Sequence, residues 1–341
     1  MFRVLDEVRR AQGAVLEGLG FGPTECSYRI VASGPHWMLR DYGGSEAGPC
    51  LLIVAAPIKR PYIWDLAPQV SAVRFCLHHD LRVYLLEWAS PSPGNGNAGL
   101  AEYAHQAIGE AVARLARETG TQPFLVGHSL GGTFAAIFGI VAPEAARGLM
   151  LLGAPLCFRP GVSRFRDAIV AMAPSALSEA DVVPGSLLSQ LSALASPETF
   201  VWSRLLDGTL SIADPVAREI HARVERWALD EVPLPGRLVH QMLEWLYREN
   251  RLCRGTLQIG ERTVGPSSLR LPTLAVVNTA DEIAPPASVM PFLDAMPGQD
   301  VRVVDYPGEI GVGLQHLGIL VGRQVYARVW PEIIRWLNAR R

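Results

Sequence analysis

The chain of 341 residues is 49% apolar and 19% charged, so it can bury a large core and does not have the composition of a disordered chain. A formal charge of −2, with Lys59 as the only lysine, leaves no basic footprint for nucleic acid, and no apolar run reaches the ~20 residues that a membrane span needs. The cysteines (Cys26, Cys50, Cys76, Cys157 and Cys253) are scattered without disulfide or metal-ligand spacing; they are expected to be buried free thiols of a cytoplasmic protein, and no metal or cofactor is expected.

Residues 1–17 carry Val4, Val8, Ala11, Val15 and Leu16 at helical spacing. Arg3, Arg9, Arg10 and interleaved acids make them a short amphipathic helix and a poor signal peptide. Residues 27–33 and 37–42 read as strands on either side of Gly34-Pro35. From residue 51 a regular alternation begins. Residues 51–56 form an apolar run suited to a strand buried on both faces. Then come a helix over 67–79, a strand over 82–88, a flexible loop over 91–97 and a long amphipathic helix over 100–118. A strand at 124–126, a helix at 132–141 and a strand at 148–152 follow.

Strand and helix taking turns predict an α/β fold, a mostly parallel central sheet flanked by helices. The alternation then stops. Residues 157–268 hold mostly helical patterns interrupted by prolines, and the sheet pattern resumes at 274–278 and 301–305 before a last helix over 323–340. The expected organisation is a core of residues 1–156 and 269–341, with residues 157–268 as a helical lid inserted after the sixth core strand.

Gly127-His128-Ser129-Leu130-Gly131 fits the G-x-S-x-G pattern, which is short and recurs by chance. Its setting makes it specific: an apolar strand precedes it and a helix of small residues follows. Such a turn strains the nucleophile's backbone and sets Ser129 at a helix N-terminus, where unpaired N–H groups favour developing negative charge. A serine hydroxyl needs a base, and the base needs an acid to hold it. In this chain order the acid is Asp281, after the strand 274–278, with Glu282 and Asp305 as alternatives. The base is His316, the one histidine in the loop 307–317, whereas His78, His79 and His105 precede the serine and His221 and His240 lie in the insertion. The oxyanion hole is expected to use the N–H of Leu130 and a second from Ala56 or Ile58, because Pro57 has none. His128 is expected to pack or line the pocket and not to act as the base. The aromatic residues Phe200, Trp202, Trp227, Trp245 and Tyr247 are candidates for an acyl channel or an interface, although at helical spacing plain core is the commoner role.

Further segments extend these motifs: Leu51-Leu-Ile-Val with Arg60-Pro-Tyr-Ile-Trp-Asp65; Gly131-Gly132-Thr133-Phe134; and Pro235-Gly236 leading to Trp245, Tyr247, Asn250 and Leu252. Then come Gly255 to Gly260 with Arg262 and Val264, Asp281 before Pro285-Pro286, and His316 to Gly322. In this order, over about residues 25–338, the chain resembles the class III-type catalytic subunits of polyhydroxyalkanoate synthases. The resemblance implies an α/β-hydrolase fold with a lid after the sixth strand, and positions 129, 281 and 316 as nucleophile, acid and base. It gives Trp245 and Tyr247 an added claim as substrate-binding residues. It also implies 3-hydroxyacyl-CoA thioesters or their polyester as substrate, the polyester granule as a surface, and a homodimer or a second subunit as partner.

One departure stands out, because those synthases use cysteine where this chain has Ser129. An acyl-serine is an oxygen ester and a poorer acyl donor than a thioester, while its hydrolysis by activated water is straightforward. The expected function is therefore a hydrolase of 3-hydroxyacyl esters or thioesters. Polymerisation of 3-hydroxyacyl-CoA is the alternative, and non-catalytic binding to polyester granules a third.

Overall fold

The computed structural model describes residues 2–91, 96–173, 182–298 and 300–340. The central part of the expected 91–97 loop, residues 92–95, lies outside the described residues. Eight strands form the main sheet: β1 (Arg29–Gly34), β2 (Trp37–Gly44), β3 (Cys50–Val54), β4 (Arg82–Trp88), β5 (Phe124–His128), β6 (Gly148–Leu152), β7 (Thr273–Asn278) and β8 (Val301–Tyr306). Their order is β1-β2-β4-β3-β5-β6-β7-β8; the first two pairings are antiparallel and the rest parallel. The α/β architecture expected from the alternation is the one observed.

Successive side chains of a strand point to opposite faces, and here both faces are covered. Leu52 and Val54 of β3 enter one core cluster, while Leu51 and Ile53 enter the other. Leu125 against Phe124 and Val126 in β5 repeats the division, as does Ala275 against Leu274 and Val276 in β7. The helices α1 (Phe2–Leu16), α2 (Ala72–His78), α3 (Ile108–Thr119) and α4 (Leu130–Val141) come before the insertion. Every residue of α4 is buried, which explains its run of small and apolar side chains.

Two elements differ from expectation for local reasons. Helix α2 begins at Ala72, because Asp65–Ala67 and Val70–Ser71 form a small antiparallel hairpin and the Ser71 hydroxyl caps the helix by accepting from Arg74 N at 2.9 Å. The expected last helix is two, Arg323–Arg328 and Trp330–Asn338. Pro331 has no N–H to donate into the preceding turn and breaks the chain of bonds there.

Between β6 and β7 lies a mainly helical layer containing α5 (Arg164–Met172), α6 (Gly185–Ala195), α7 (Ser203–Ser211), α8 (Pro215–Ala228) and α9 (Gly236–Gln241). Helix α1 packs on α6 and α8 and so joins this layer, although it precedes the sheet in the chain. Its docking face is polar: Arg9 pairs with Glu231 and, just past the helix, Glu17 pairs with Arg226, while Val4, Val8 and Val15 stay exposed. Helix α7 is also turned inside out, with Asp207 and Ser211 buried and Leu205, Leu206 and Leu210 exposed.

The expectation for the cysteines needs correction. Cys157 and Cys253, 96 residues apart, form a disulfide between the loop after β6 and the short helix Arg251–Arg254. Contacts made across that distance leave no trace in local spacing. Cys50 and Cys76 are buried thiols as expected, and Cys26 is half-buried. Among the described residues no helix is long and apolar enough to cross a membrane, and no group of three or more His, Cys, Asp or Glu side chains could hold a metal ion.

Candidate active site

The parallel strands end at Val54, His128, Leu152, Asn278 and Tyr306 along one edge, so the loops that follow them converge. Ser129 links β5 to α4 with φ 56° and ψ −134°, a conformation costing on the order of 1–3 kcal/mol for a residue with a side chain. Hydrogen bonds hold the turn: Ser129 N donates to Leu152 O at 3.1 Å, and Ser129 O accepts from Gly132 N at 3.0 Å. Glycine is required on both sides, since a Cβ on Gly127 would lie 2.4 Å from Gly132 N and one on Gly131 2.2 Å from Val54 O. The Leu130 N–H opens the first turn of α4, where amides have no acceptor within the helix.

Asp281 follows β7 in a tight loop. Its Oδ1 accepts from Ile283 N at 2.8 Å and Ala284 N at 2.9 Å, which leaves Oδ2 to face His316 Nδ1 at 2.7 Å. Asp281 is only 2% exposed. Burial alone would raise its pKa, but the His316 charge, the bond from His316 and the two amides outweigh it and hold the carboxyl below its ordinary value. His316 lies in the loop after β8. Asn278 Nδ2 donates to Gln315 O at 2.7 Å, and His128 Nε2 lies 2.8 Å from His316 O. A carbonyl only accepts, so His128 carries its proton on Nε2. Burial pushes His128 down to about 3, so it is neutral at ordinary pH. With Nδ1 engaged by Asp281, His316 keeps Nε2 as the free acceptor.

Ser129 and His316 line one cavity of about 240 Å³. Among the described residues, the hydrogen-bond partners of His316 are Asp281 and His128 and do not include Ser129. Ala56, Ile58 and Leu130 line the cavity beside Ser129, and His128 lines it too. Of the acids weighed against Asp281, Glu282 accepts instead from the Thr199 hydroxyl, and Asp305 is exposed.

The aromatic candidates separate. Phe200, Trp227 and Tyr247 line the cavity, whereas Trp202 is 66% exposed and Trp245 packs against the core with the Arg251 guanidinium over its ring at 5.0 Å. Trp245 is therefore not beside the cavity. Residues two apart on a helical turn point to nearly opposite sides, so Trp245 and Tyr247 cannot both face it.

Arg9, Lys59, Arg60 and Arg204 also line the cavity, a cluster that the local sequence pattern does not reveal. Each is paired with an acid behind the surface. Lys59 Nζ donates to Ser189 Oγ at 3.2 Å, to Ala228 O and to Glu231 Oε1 at 2.9 Å, and burial lowers it to about 8. Arg204 Nε donates to Glu225 Oε1 at 2.7 Å. The solitary lysine was visible in the sequence, but its partners come from α6 and the end of α8.

Residues 51–320 match the model of a family described as "Alpha/beta hydrolase family". Among curated proteins, the chain is 31% identical over 297 residues to the poly(3-hydroxyalkanoate) polymerase subunit PhaC of Haloferax mediterranei, covering 85% of this chain and 58% of that one. The protein of the same name from Haloarcula marismortui is 26% identical, with 85% and 61% covered. The chain thus spans about six-tenths of the length of those two relatives. The protein of that name from Allochromatium vinosum is 24% identical, with 88% and 84% covered. Among solved structures, a monoacylglycerol lipase of Paleococcus ferrophilus aligns with a TM-score of 0.52 at 17% identity, covering 89% of this chain and 99% of its own. The putative non-heme bromoperoxidase BpoC of Mycobacterium tuberculosis H37Rv aligns at 0.57 and 16%, with 92% and 98% covered. At such identity these two structures speak to the fold alone.

Proposed function

Since the chain belongs to the alpha/beta hydrolase family and is an enzyme of that superfamily, we propose that it hydrolyses 3-hydroxyacyl esters or thioesters through Ser129, His316 and Asp281. The observation that carries this reading is the 2.7 Å bond between His316 Nδ1 and Asp281, made beside a strained Ser129 in the same cavity.

Ser129 Oγ adds to the substrate carbonyl as His316 Nε2 takes its proton, and the Asp281 carboxylate stabilises the resulting imidazolium. The oxyanion is met by the N–H of Leu130 and that of Ala56. Ala56 is preferred to Ile58 because the preceding residues Val54 and Ala55 run against Gly131 of the elbow, while Ile58 lies beyond Pro57 and turns its carbonyl to Val232 N at 3.0 Å. Collapse breaks the carbonyl–sulfur or carbonyl–oxygen bond, and the leaving group takes the proton from His316. Water then attacks the acyl-serine as His316 Nε2 takes one of its protons; on collapse the carbonyl–Oγ bond breaks and His316 returns that proton to Ser129 Oγ, releasing the free acid. Residues 157–268 act as the lid over this step, with Phe200, Trp227 and Tyr247 against the acyl group.

The identity to poly(3-hydroxyalkanoate) polymerase subunits favours a second reading, in which the hydroxyl of a growing chain replaces water. The serine argues for hydrolysis, because its ester is lower in energy than a thioester and passes its acyl group on less readily. Incubation with 3-hydroxybutyryl-CoA separates the two. Hydrolysis releases CoA and free 3-hydroxybutyrate without polymer; turbidity and high-molecular-weight product would overturn it. Ser129→Ala is expected to lose cleavage by about 10³-fold or more with its circular dichroism unchanged.

A further inference from the structure

Helix α7 and the turn before it touch both loops that carry the acid and the base. Asp207, 8% exposed, accepts with Oδ1 from Gly311 N and with Oδ2 from Gly313 N, both at 2.6 Å. Those amides belong to the loop that ends in His316. About two turns earlier, in Glu198–Trp202, the Thr199 hydroxyl donates to the carboxylate of Glu282, the residue after Asp281. One short stretch of the lid therefore grips the histidine loop and the aspartate loop together.

The grip on the histidine loop is specific in its chemistry. Gly311 and Gly313 both have positive φ, 93° and 70°, so their N–H groups leave a path that ordinary residues rarely follow. A carboxylate offers two acceptor oxygens and matches two such donors; an amide offers one and would turn an NH2 against the other N–H. The rest of the loop is held by Asn278 at Gln315 O, by His128 at His316 O, by the Glu309–Gln315 bonds and by the buried Val312 side chain. The segment 311–313 is held from the lid side.

We propose that Asp207 is a positioning residue, assisted by Thr199, through which the lid sets the distance between His316 and Asp281. The inference rests on the triad reading, and it makes a closed lid a condition for a competent base. When α7 lifts, the segment 311–313 loses both carboxylate bonds, the hydrogen bonds that fix its two glycine amides.

Two readouts on the full chain test it. The proton on His316 Nδ1, shared with Asp281, gives a low-field signal in 15N-histidine-labelled protein. The rate at which a small fluorophosphonate modifies Ser129 reports the activated hydroxyl. Asp207→Asn, which keeps the size of the side chain, is expected to broaden or remove the low-field signal. It is also expected to slow modification by roughly 10–100-fold, with the melting temperature little changed. Asp207→Glu should restore part of both, Thr199→Val should give a smaller loss, and Leu205→Ala on the exposed side of α7 should leave both as in the wild type. An unchanged low-field signal and modification rate in a folded Asp207→Asn protein overturn the inference. If the wild type is not modified at Ser129, the hydrolase reading falls instead; the low-field signal still decides whether Asp207 sets the His316–Asp281 pair.

Discussion

The sheet and the helical layer over it differ in how much of their stability is directional. In β3, β5, β6 and β7 every residue is buried, and side chains alternate between two apolar clusters. The layer also buries apolar side chains, Leu234, Leu238, Met242 and Leu246 in one cluster and Ile220 and Val224 in the other. It nevertheless leaves Trp202, Leu205 and Leu206 exposed and adds directional bonds through Lys59, Asp207, Thr199 and Trp227 Nε1, which donates to Arg60 O at 2.8 Å. Apolar burial is strong and insensitive to small displacements, whereas a bond from a buried carboxylate to two amides is lost within an ångström. The directional bonds of Asp207 and Thr199 reach the loops of His316 and Asp281, so a small displacement of the layer is felt first at the site.

Substitutions on the two sides should expose this contrast. Asp281→Asn, at the platform edge, is expected to lower kcat by roughly 10³–10⁴-fold without lowering the melting temperature, read from initial rates beside a thermal melt. Leu52→Ala, in the fully buried face of β3, should cost about 2–5 kcal/mol in urea denaturation. A smaller effect belongs to the joint between the two regions. Lys59 titrates at about 8 when folded against its ordinary 10.5, so between these values the unfolded chain binds the extra proton. Its share of stability therefore rises as pH climbs from about 8 to 10.5 and is lost as pH falls through 8, by up to about 3 kcal/mol. Lys59→Met should remove that rise in stability measured across the same window. Leu205→Ala should be the mildest, within about 0.5 kcal/mol. A Leu205→Ala loss as large as that of Leu52→Ala would break the comparison.

The same division governs what could be read in the sequence. Strands 82–88 and 148–152 have the bounds that their local apolar runs give, and the order Ser129, Asp281, His316 follows the ends of such strands. The Asp281–His316 approach needed only chain order and loop placement. What could not be read depends on partners far apart in the chain. Arg9 and Glu231 are separated by 222 positions, Asp207 and Gly311 by 104, and Cys157 and Cys253 by 96. Trp245 and Tyr247 belong to one motif, but helical geometry turns only Tyr247 to the cavity.

The disulfide carries a consequence for engineering. The Cα atoms of Cys157 and Cys253 lie 5.0 Å apart, so the intervening chain leaves and re-enters the platform at nearly one point. A link of two or three residues spans such a gap. A different segment could thus be joined at this point without moving the strand ends, provided that it covers the apolar surface that Leu238, Met242 and Leu246 now bury.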